Sequence, residues 1–263
     1  MCSSSECSRN ADDSLDLNIF MKFRSLLLSL LGTLLFLAGV LVGLSLSAVV
    51  TWGESEARIY TSYNGETRLK VKCPLMLSPV ESAVVSAAII NPTDEEIKPV
   101  VSVEISRTKI PRKVSQTLLL EPGESETVQW SVDPSDVIFE RLILVNILQS
   151  QYRDNPSRLG SCGIFLFSLP GMNGMQTFSL VFAVSLVAML SGGALWLYAR
   201  WPLNKLAMNI AQISTVLLGM TILALFSTLP RWWGLTLFFD ALILLIMGVI
   251  ITEFGLFSQK YRD

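Results

Sequence analysis

The sequence predicts an integral membrane protein in which four transmembrane α-helices hold one extracytoplasmic β-sandwich, inserted between helices 1 and 2. Of its 263 residues, 51% are hydrophobic and only 16% are charged, a balance that soluble proteins rarely reach. Residues 53–172 alternate apolar and polar side chains, which is typical of β-strands. Each of four apolar runs is long enough to cross a hydrocarbon layer of about 30 Å; they occupy residues 25–50, 177–199, 206–229 and 232–254.

Composition also excludes several classes of function. The chain contains no histidine, which excludes Ser-His-Asp and Cys-His catalysis, histidine-ligated zinc and haem, and histidine pH switches. Its net charge of −2 argues against a nucleic-acid partner, because phosphate binding needs a basic field. The sequence shows neither a nucleophile–base pair nor a cluster of metal ligands, so we expect a non-enzymatic protein without a cofactor.

The N-terminal region combines a polar tail with the first apolar run. Residues 1–20 are serine-rich and mildly acidic, which predicts a disordered cytoplasmic tail. Residues 21–52 predict transmembrane helix 1, whose apolar core, residues 26–46, exceeds the roughly 7–15 residues of a signal peptide. An uncleaved anchor is therefore favoured. Cleavage near Ala48 stays open as an alternative, and Met21 stays open as an alternative start.

The distribution of basic residues predicts the orientation of the spans. Basic residues precede helix 1, join helices 2 and 3 and follow helix 4, whereas the turn between helices 3 and 4 carries only Arg231. Both termini are therefore expected in the cytoplasm and residues 53–172 outside it, with residues 173–263 forming a three-helix membrane region and a short cytoplasmic C-terminus. Proline blocks both asparagine sequons, at Asn91 and Asn155, which favours a bacterial cell membrane.

The central segment predicts seven or eight short strands without helical interludes. Asn64-Gly65 predicts a tight hairpin between the first two, because both residues tolerate positive φ. Turn clusters follow at residues 91–94 and 121–124. Short strands at such spacing predict a β-sandwich; the candidate strands are residues 58–62, 67–73, 84–90, 100–106, 114–120, 127–132, 137–150 and 160–169.

Two stretches of this segment resemble known extracellular modules. The run 86–94 ends a strand in Asn-Pro, and the run 120–130 carries a Pro-Gly-Glu turn before a Val-x-Trp strand. Both are similar to immunoglobulin-like and fibronectin-like modules of the CARDB and related adhesion-type families. The resemblance covers none of the apolar runs. It implies an immunoglobulin-like β-sandwich and names no ligand.

Two cysteines of the central segment are a disulfide candidate. Cys73 and Cys162 lie near the first and last strands, which can be neighbours in a sandwich. On an oxidising face of the membrane we favour a disulfide, which would contribute about 4–5 kcal/mol in the chain-entropy model. Two buried thiols are the alternative, since cysteine is among the most buried residue types. Neither arrangement implies catalysis.

Asp240 is the most unusual side chain of the apolar runs. It lies about 12 Å along helix 4 from Trp232, at a depth where an ionised carboxylate is costly. Ser185 on helix 2 and Thr221 on helix 3 lie at similar depth. We interpret Asp240 as a structural acid that is hydrogen-bonded within the bundle or to another subunit. A proton or cation relay is the alternative.

A second polar group lies near the cytoplasmic ends of helices 3 and 4. Asn209 and Gln212 are three residues apart and therefore share one helix face. Glu253 is expected at the same level on helix 4. We interpret these three residues as an interfacial polar cluster that holds the helices together, with lipid head-group contact as the alternative.

Small residues mark a packing face on helix 1. Gly32, Gly39 and Gly43 share that face, and small residues let two helix backbones approach closely. Packing within the chain and formation of a homo-oligomer both fit this pattern.

Taken as a whole, the sequence predicts an accessory or scaffolding subunit of a larger membrane complex, whose β-sandwich binds or positions a partner. The expected partners are membrane lipid and other subunits of the complex. A small transporter or channel component that uses Asp240 is the alternative function.

Overall fold

A computed structural model of the chain describes residues 4–61, 67–150, 156–202 and 205–260. Helix α1 (Ser4–Ile59) comes first, nine strands follow, and α2 (Gly174–Ala199), α3 (Lys205–Thr228) and α4 (Trp233–Lys260) complete the chain. Within these described residues three helices are long and apolar enough to cross a membrane, namely Phe23–Ile59, Gly174–Ala199 and Ala207–Thr228. The apolar part of α4 found there, Trp233–Val249, is shorter.

Helix α1 extends beyond both of its expected ends. It begins at Ser4, inside the segment predicted to be a disordered tail, and it ends at Ile59, seven residues into the segment 53–172 that was assigned to the β domain. Once the apolar run has formed a helix, each further residue adds a hydrogen bond without a new nucleation cost. The prediction of a strand at residues 58–62 is therefore wrong for residues 58 and 59, which belong to α1. The Asn64-Gly65 turn lies outside the described residues.

The strands form a six-stranded and a three-stranded sheet. The larger sheet has the order β1 (Thr67–Arg68), β9 (Arg158–Leu166), β8 (Leu142–Gln149), β5 (Val100–Ile105) and β6 (Arg112–Thr117), with β3 (Met76–Leu77) also paired to β9. The smaller sheet has the order β2 (Val71–Lys72), β4 (Ala83–Ile90) and β7 (Ser125–Val132). All neighbours are antiparallel except β1 and β3, which run parallel to β9.

The two sheets share one hydrophobic core, and β8 is buried on both of its faces. Alternate residues of β8, Val145 and Ile147 among them, join side chains of β4 and β7 in the core between the sheets. On the other face Leu142 and Leu144 pack with Ala57 of α1. A strand that is covered on both faces needs no polar alternation, which explains the continuous apolar run of this segment.

The chain separates into two compact units. The helical unit comprises Met1–Leu44, Ala183–Leu223 and Phe239–Asp263, and the sandwich unit comprises Ser45–Phe182 and Ala224–Phe238. The sandwich unit therefore contains both sheets and the adjoining ends of the helices.

Within the helical unit, glycines bring α1 and α2 together. A Cβ atom on Gly32 would lie 2.8 Å from the carbonyl oxygen of Gly192, and one on Gly39 would lie 2.8 Å from the backbone nitrogen of Met189. Gly43 is also buried. The face predicted from these glycines thus supports packing within the chain.

Candidate functional site

A buried ion pair fastens the β domain to the helix ends. Glu54 lies near the end of α1, and Arg231 lies in the turn between α3 and α4; their side chains are only 5% and 15% exposed. Arg231 Nη1 donates to Glu54 Oε1. Its Nη2 donates to the carbonyl oxygens of Cys73 at 3.0 Å and Pro74 at 2.9 Å. One guanidinium thus links α1, the α3–α4 turn and the segment between β2 and β3, and we call Glu54, Arg231, Cys73 and Pro74 the joint.

The backbone of Arg231 is adapted to this role. Its φ of 56° lies in the left-handed region, which costs a residue other than glycine about 1–2 kcal/mol. Burial lowers the pKa of Arg231 below its ordinary value, and the nearby carboxylate of Glu54 opposes that shift. The hydrogen bonds of the guanidinium hold the turn in a conformation that its backbone alone disfavours.

A disulfide continues the joint into the sandwich. Cys73 and Cys162 are bonded, with their Cα atoms 6.6 Å apart, so the residue whose carbonyl accepts from Arg231 is covalently tied to β9. One residue later, a Cβ atom on Gly163 would clash with the carbonyl oxygen of Gly53. The backbones of α1 and β9 therefore touch where only glycine fits.

Two further contacts hold the other helix ends of the sandwich unit. Glu81 Oε2 accepts from the backbone nitrogens of Ser78 at 3.0 Å and Gly174 at 2.9 Å, which ties the first residue of α2 to the link between β3 and β4. The guanidinium of Arg58 on α1 lies 4.8 Å from the ring centroid of Trp233, the first residue of α4. The domain is thus attached at several points around the joint.

The sandwich carries an open cleft beside the end of α1. The cleft has a volume of about 560 Å³ and presents Tyr60, the basic side chains of Arg107 and Lys109, and Phe139. Phe139 is 66% exposed and the neighbouring Ile110 is 76% exposed. We call the four lining residues named first the cleft; Ile110 adjoins it, next to Lys109 in the chain.

The conformation of the cleft is enforced by its surroundings. Phe139 and Glu140 have φ values of 49° and 62°, and such strained positions persist only where the surrounding structure determines them. Asp136, fully buried, pairs with Arg107 at 3.5 Å and with Arg112 at 2.9 Å. Burial raises the pKa of Tyr60, with a smaller contribution from the carboxylate of Glu104. The cleft is therefore a fixed surface with aromatic, apolar and cationic groups.

The structure gives contacts for two of the three polar residues predicted at mid-depth in the helices. Ser185 is buried and its hydroxyl donates to the carbonyl oxygen of Gly39 at 2.8 Å, which joins α2 to α1. Thr221 is buried and donates to Leu217 of its own helix. Asp240 is half-buried on α4. The proton of the Thr221 hydroxyl is thus donated within α3, and the interpretation of Asp240 as a structural acid stays a prediction.

For the predicted cluster of Asn209, Gln212 and Glu253, the structure describes the side chains of only the first two residues. Asn209 and Gln212 are both exposed on α3, and the side chain of Glu253 lies outside the described residues. Among the described residues, no group of three His, Cys, Asp or Glu side chains is arranged to hold a metal ion.

Comparison with known proteins gives only partial structural matches. No family model and no curated protein matches the chain. A glucanotransferase from Paenibacillus sp. is 19% identical, covering 40% of this chain and 14% of its own, with a TM-score of 0.32. A β-glucosidase from Listeria innocua is 20% identical, covering 42% and 17%, with a TM-score of 0.28. A CARDB domain from Pyrococcus furiosus, solved with di-metal ions, is 13% identical, covering 41% and 95%, with a TM-score of 0.30.

Sequence reasoning missed the joint, although a signal for it exists. Glu54 and Arg231 each lie just beyond an apolar run, on what the basic-residue pattern predicts to be the same side of the membrane. Opposite charges at matching ends of two spans are candidates for an ion pair. Arg231 was weighed only as evidence for orientation.

Proposed function

We propose that this chain is a non-enzymatic membrane protein whose β domain binds a partner and whose helices anchor that domain. It would act as an accessory or scaffolding subunit of a larger membrane complex. In this proposal four helices cross a bacterial cell membrane, both termini lie in the cytoplasm, and the sandwich lies outside. The disulfide supports that side, because disulfides persist in oxidising compartments.

The observation that carries the proposal is the joint. Domains joined by simple linkers move relative to their neighbours by default. Here a largely buried guanidinium binds a carboxylate and two backbone carbonyls at once, and the same segment is covalently linked to β9. Such attachments suit a domain that is held firmly on the adjoining helix ends of its own unit.

The strand order supports an immunoglobulin-like fold for the domain. Strands β4 and β7 pair in one sheet, while β9, β8, β5 and β6 are consecutive in the other. This is the order expected for strands B and E facing strands G, F, C and C′. The disulfide departs from the antibody pattern, because Cys73 precedes β3 and Cys162 lies on β9, so it does not join the B and F strands.

The cleft is the surface that we propose for the partner. Interfaces concentrate their binding energy in a few aromatic, apolar and arginine side chains surrounded by polar groups. Phe139 and Ile110 are bulky, exposed and next to Arg107 and Lys109. Because the loops here are already fixed, little conformational entropy is lost on binding.

Crosslinking in native membranes tests this function. A photoreactive phenylalanine analogue at Ile110 should crosslink one protein in stoichiometric yield, and Phe139→Ser should abolish its copurification in mild detergent. Val80→Ser, which changes another highly exposed apolar residue, should leave copurification intact. Recovery of the chain alone, with ion flux in liposomes that Asp240→Asn removes, would instead support the transporter alternative.

A further inference from the structure

The helical unit contains an apolar cavity among α1, α2 and α3. Its volume is about 330 Å³, within the roughly 300–1,000 Å³ of small-ligand pockets. Phe36, Met189, Trp196 and Leu218 contribute to its wall. Such a cavity loses dispersion contacts when it is empty, so an apolar occupant is favoured.

Two of the three hydroxyl groups of the wall, those of Thr33, Ser214 and Thr215, donate to backbone carbonyl oxygens. Thr33 donates to the carbonyl oxygen of Ser29 at 2.8 Å, and Thr215 donates to that of Ala211 at 2.8 Å. Both bonds lie within a single helix, so these hydroxyls line the cavity without directing a proton into it. The wall therefore suits a hydrocarbon chain better than a polar ligand.

A cation lies one helical turn beyond one end of this cavity. Arg200 Nε donates to the hydroxyl of Ser29 at 3.1 Å. Ser29 is one turn before Thr33 on α1. Arg200 is the residue directly after α2, four residues beyond Trp196, so the guanidinium lies at the same end of both helices. No carboxylate forms a salt bridge with Arg200 among the side chains that the structure describes.

We propose that this cavity binds one acyl chain of an anionic glycerophospholipid whose phosphate contacts Arg200. The Nε–H points to Ser29, which leaves the Nη groups for two parallel bonds to phosphate oxygens. Basic pockets between transmembrane helices are known to hold anionic head groups. A helix from a second copy would fill the cavity without contacting Arg200. The combination of an apolar cavity with a cation at its end therefore favours a lipid.

The dimensions of the site agree with a lipid of one leaflet. From Met189 to Leu197 the wall extends about 12 Å along α2, which is less than half of a hydrocarbon core of about 30 Å. Trp196 lies at the Arg200 end, as expected for an indole near the head groups. The inference requires the helices to lie in a membrane and is independent of what the β domain binds.

Native mass spectrometry of the full chain tests the proposal. The protein, delipidated in mild detergent, is mixed with equal amounts of palmitoyl-oleoyl phosphatidylglycerol and palmitoyl-oleoyl phosphatidylcholine. We expect one retained phosphatidylglycerol per chain, with a preference of about fivefold. Both lipids carry the phosphate, but the choline cation of phosphatidylcholine cancels its net charge and so removes the net attraction to Arg200. Arg200→Gln should reduce this preference to nearly one, whereas Arg68→Gln, which removes a charge from the β domain, should preserve it.

Cavity-filling variants test the acyl-chain part. A Cβ atom on Gly193 would make an ordinary van der Waals contact with Phe36, at 3.8 Å. Since Gly193 lines the cavity, Gly193→Leu should fill part of it and abolish retention of both lipids. Ala211→Leu fills the cavity from α3 and should act alike. Gly219→Leu is the control, since nothing lies within 4 Å of its added Cβ. Equal retention of both lipids by the unaltered chain, undiminished binding in both filled variants, or a lipid-free dimer would overturn the proposal.

Discussion

The two units of the molecule hold their elements together by opposite means. In the sandwich unit the helix ends are fixed to the strands by an ion pair, by a disulfide and by the Glu81 carboxylate, which accepts a hydrogen bond from the first residue of α2. In the helical unit Gly32 and Gly39 let α1 and α2 meet backbone to backbone. The proposed membrane location of the helices would account for this difference. Lipid tails are as apolar as the side chains, so helices gain by close packing, whereas charged groups at the membrane edge can pair at a tolerable desolvation cost.

The largest expected effect is loss of the disulfide. Cys73 and Cys162 are 89 residues apart in the chain, and opening a loop of this length should lower the free energy of unfolding by about 4–5 kcal/mol. Cys73→Ser should show this in denaturant unfolding of the detergent-solubilised protein. Both cysteines should also resist alkylation in the denatured protein until it is reduced. Free alkylation without reduction would contradict the bond.

Breaking the joint should cost nearly as much. Arg231→Met leaves the Glu54 carboxylate buried without its partner, which typically costs about 3–5 kcal/mol. The double variant Glu54→Gln with Arg231→Met removes both charges and should recover part of that loss. The thermal midpoints of the two variants measure the difference. If both midpoints fall equally, the carbonyl bonds of Arg231 rather than the ion pair hold the domain.

The glycine contact of the helical unit should be less sensitive than the joint. Gly39→Leu forces a side chain against the backbone of Met189 and Ser185, and overpacking of this kind typically costs about 1–3 kcal/mol. Gly219→Leu adds the same volume where nothing lies within 4 Å and should leave the thermal midpoint unchanged. A larger loss from Gly39→Leu than from Arg231→Met would reverse the comparison.

A smaller effect is expected from a carboxylate of the sandwich surface. Hydrogen bonds from the hydroxyl and backbone of Ser135 lower the pKa of Asp133, and this side chain caps the short 3-10 helix Pro134–Asp136. A lowered pKa means that the stabilisation is present above the ordinary pKa and is lost as pH falls through the lowered value. Asp133→Asn should therefore flatten the stability profile below about pH 4. An unchanged profile would show that other carboxylates dominate acid unfolding.

The smallest effect is expected at Asp240. As a structural acid it should tolerate Asp240→Asn, which keeps the shape and the hydrogen-bonding capacity. Asp240→Leu should weaken the assembly by removing that capacity. Size-exclusion chromatography in mild detergent separates the two results. An intact Asn variant that loses a proton-coupled flux would instead show that the acid works in transport.

Surface labelling sharpens the assignment of each unit to its side of the membrane. Cysteine placed at Ser125, at the start of β7, should react with an impermeant reagent in intact cells. Cysteine placed at Ser258 in α4 should not, because the C-terminus is predicted to be cytoplasmic. Labelling of Ser258 from outside would overturn the predicted topology.

Local sequence pattern determined the classes of element and most of their order. The apolar runs indicate the membrane helices because a hydrocarbon layer demands a long apolar span, and the alternating segment indicates strands because side chains alternate across a sheet. The ends of the helices and strands were harder to predict from the sequence. Helix α1 continues seven residues beyond residue 52, since Ala57 gains a packing surface on Leu142 and Leu144 that only the folded domain supplies.

The joint, the cleft and the cavity of the helical unit depend on tertiary structure. Glu54 and Arg231 are separated by 177 positions; each lies just beyond an apolar run, but neither local sequence specifies that the two meet. The same holds for the wall of the cavity, which draws on three helices. The physical reason is that burial, charge pairing and close approach depend on which surfaces are brought into contact. That choice is made by the packing of the whole chain, whereas helices, strands and turns follow from neighbouring residues.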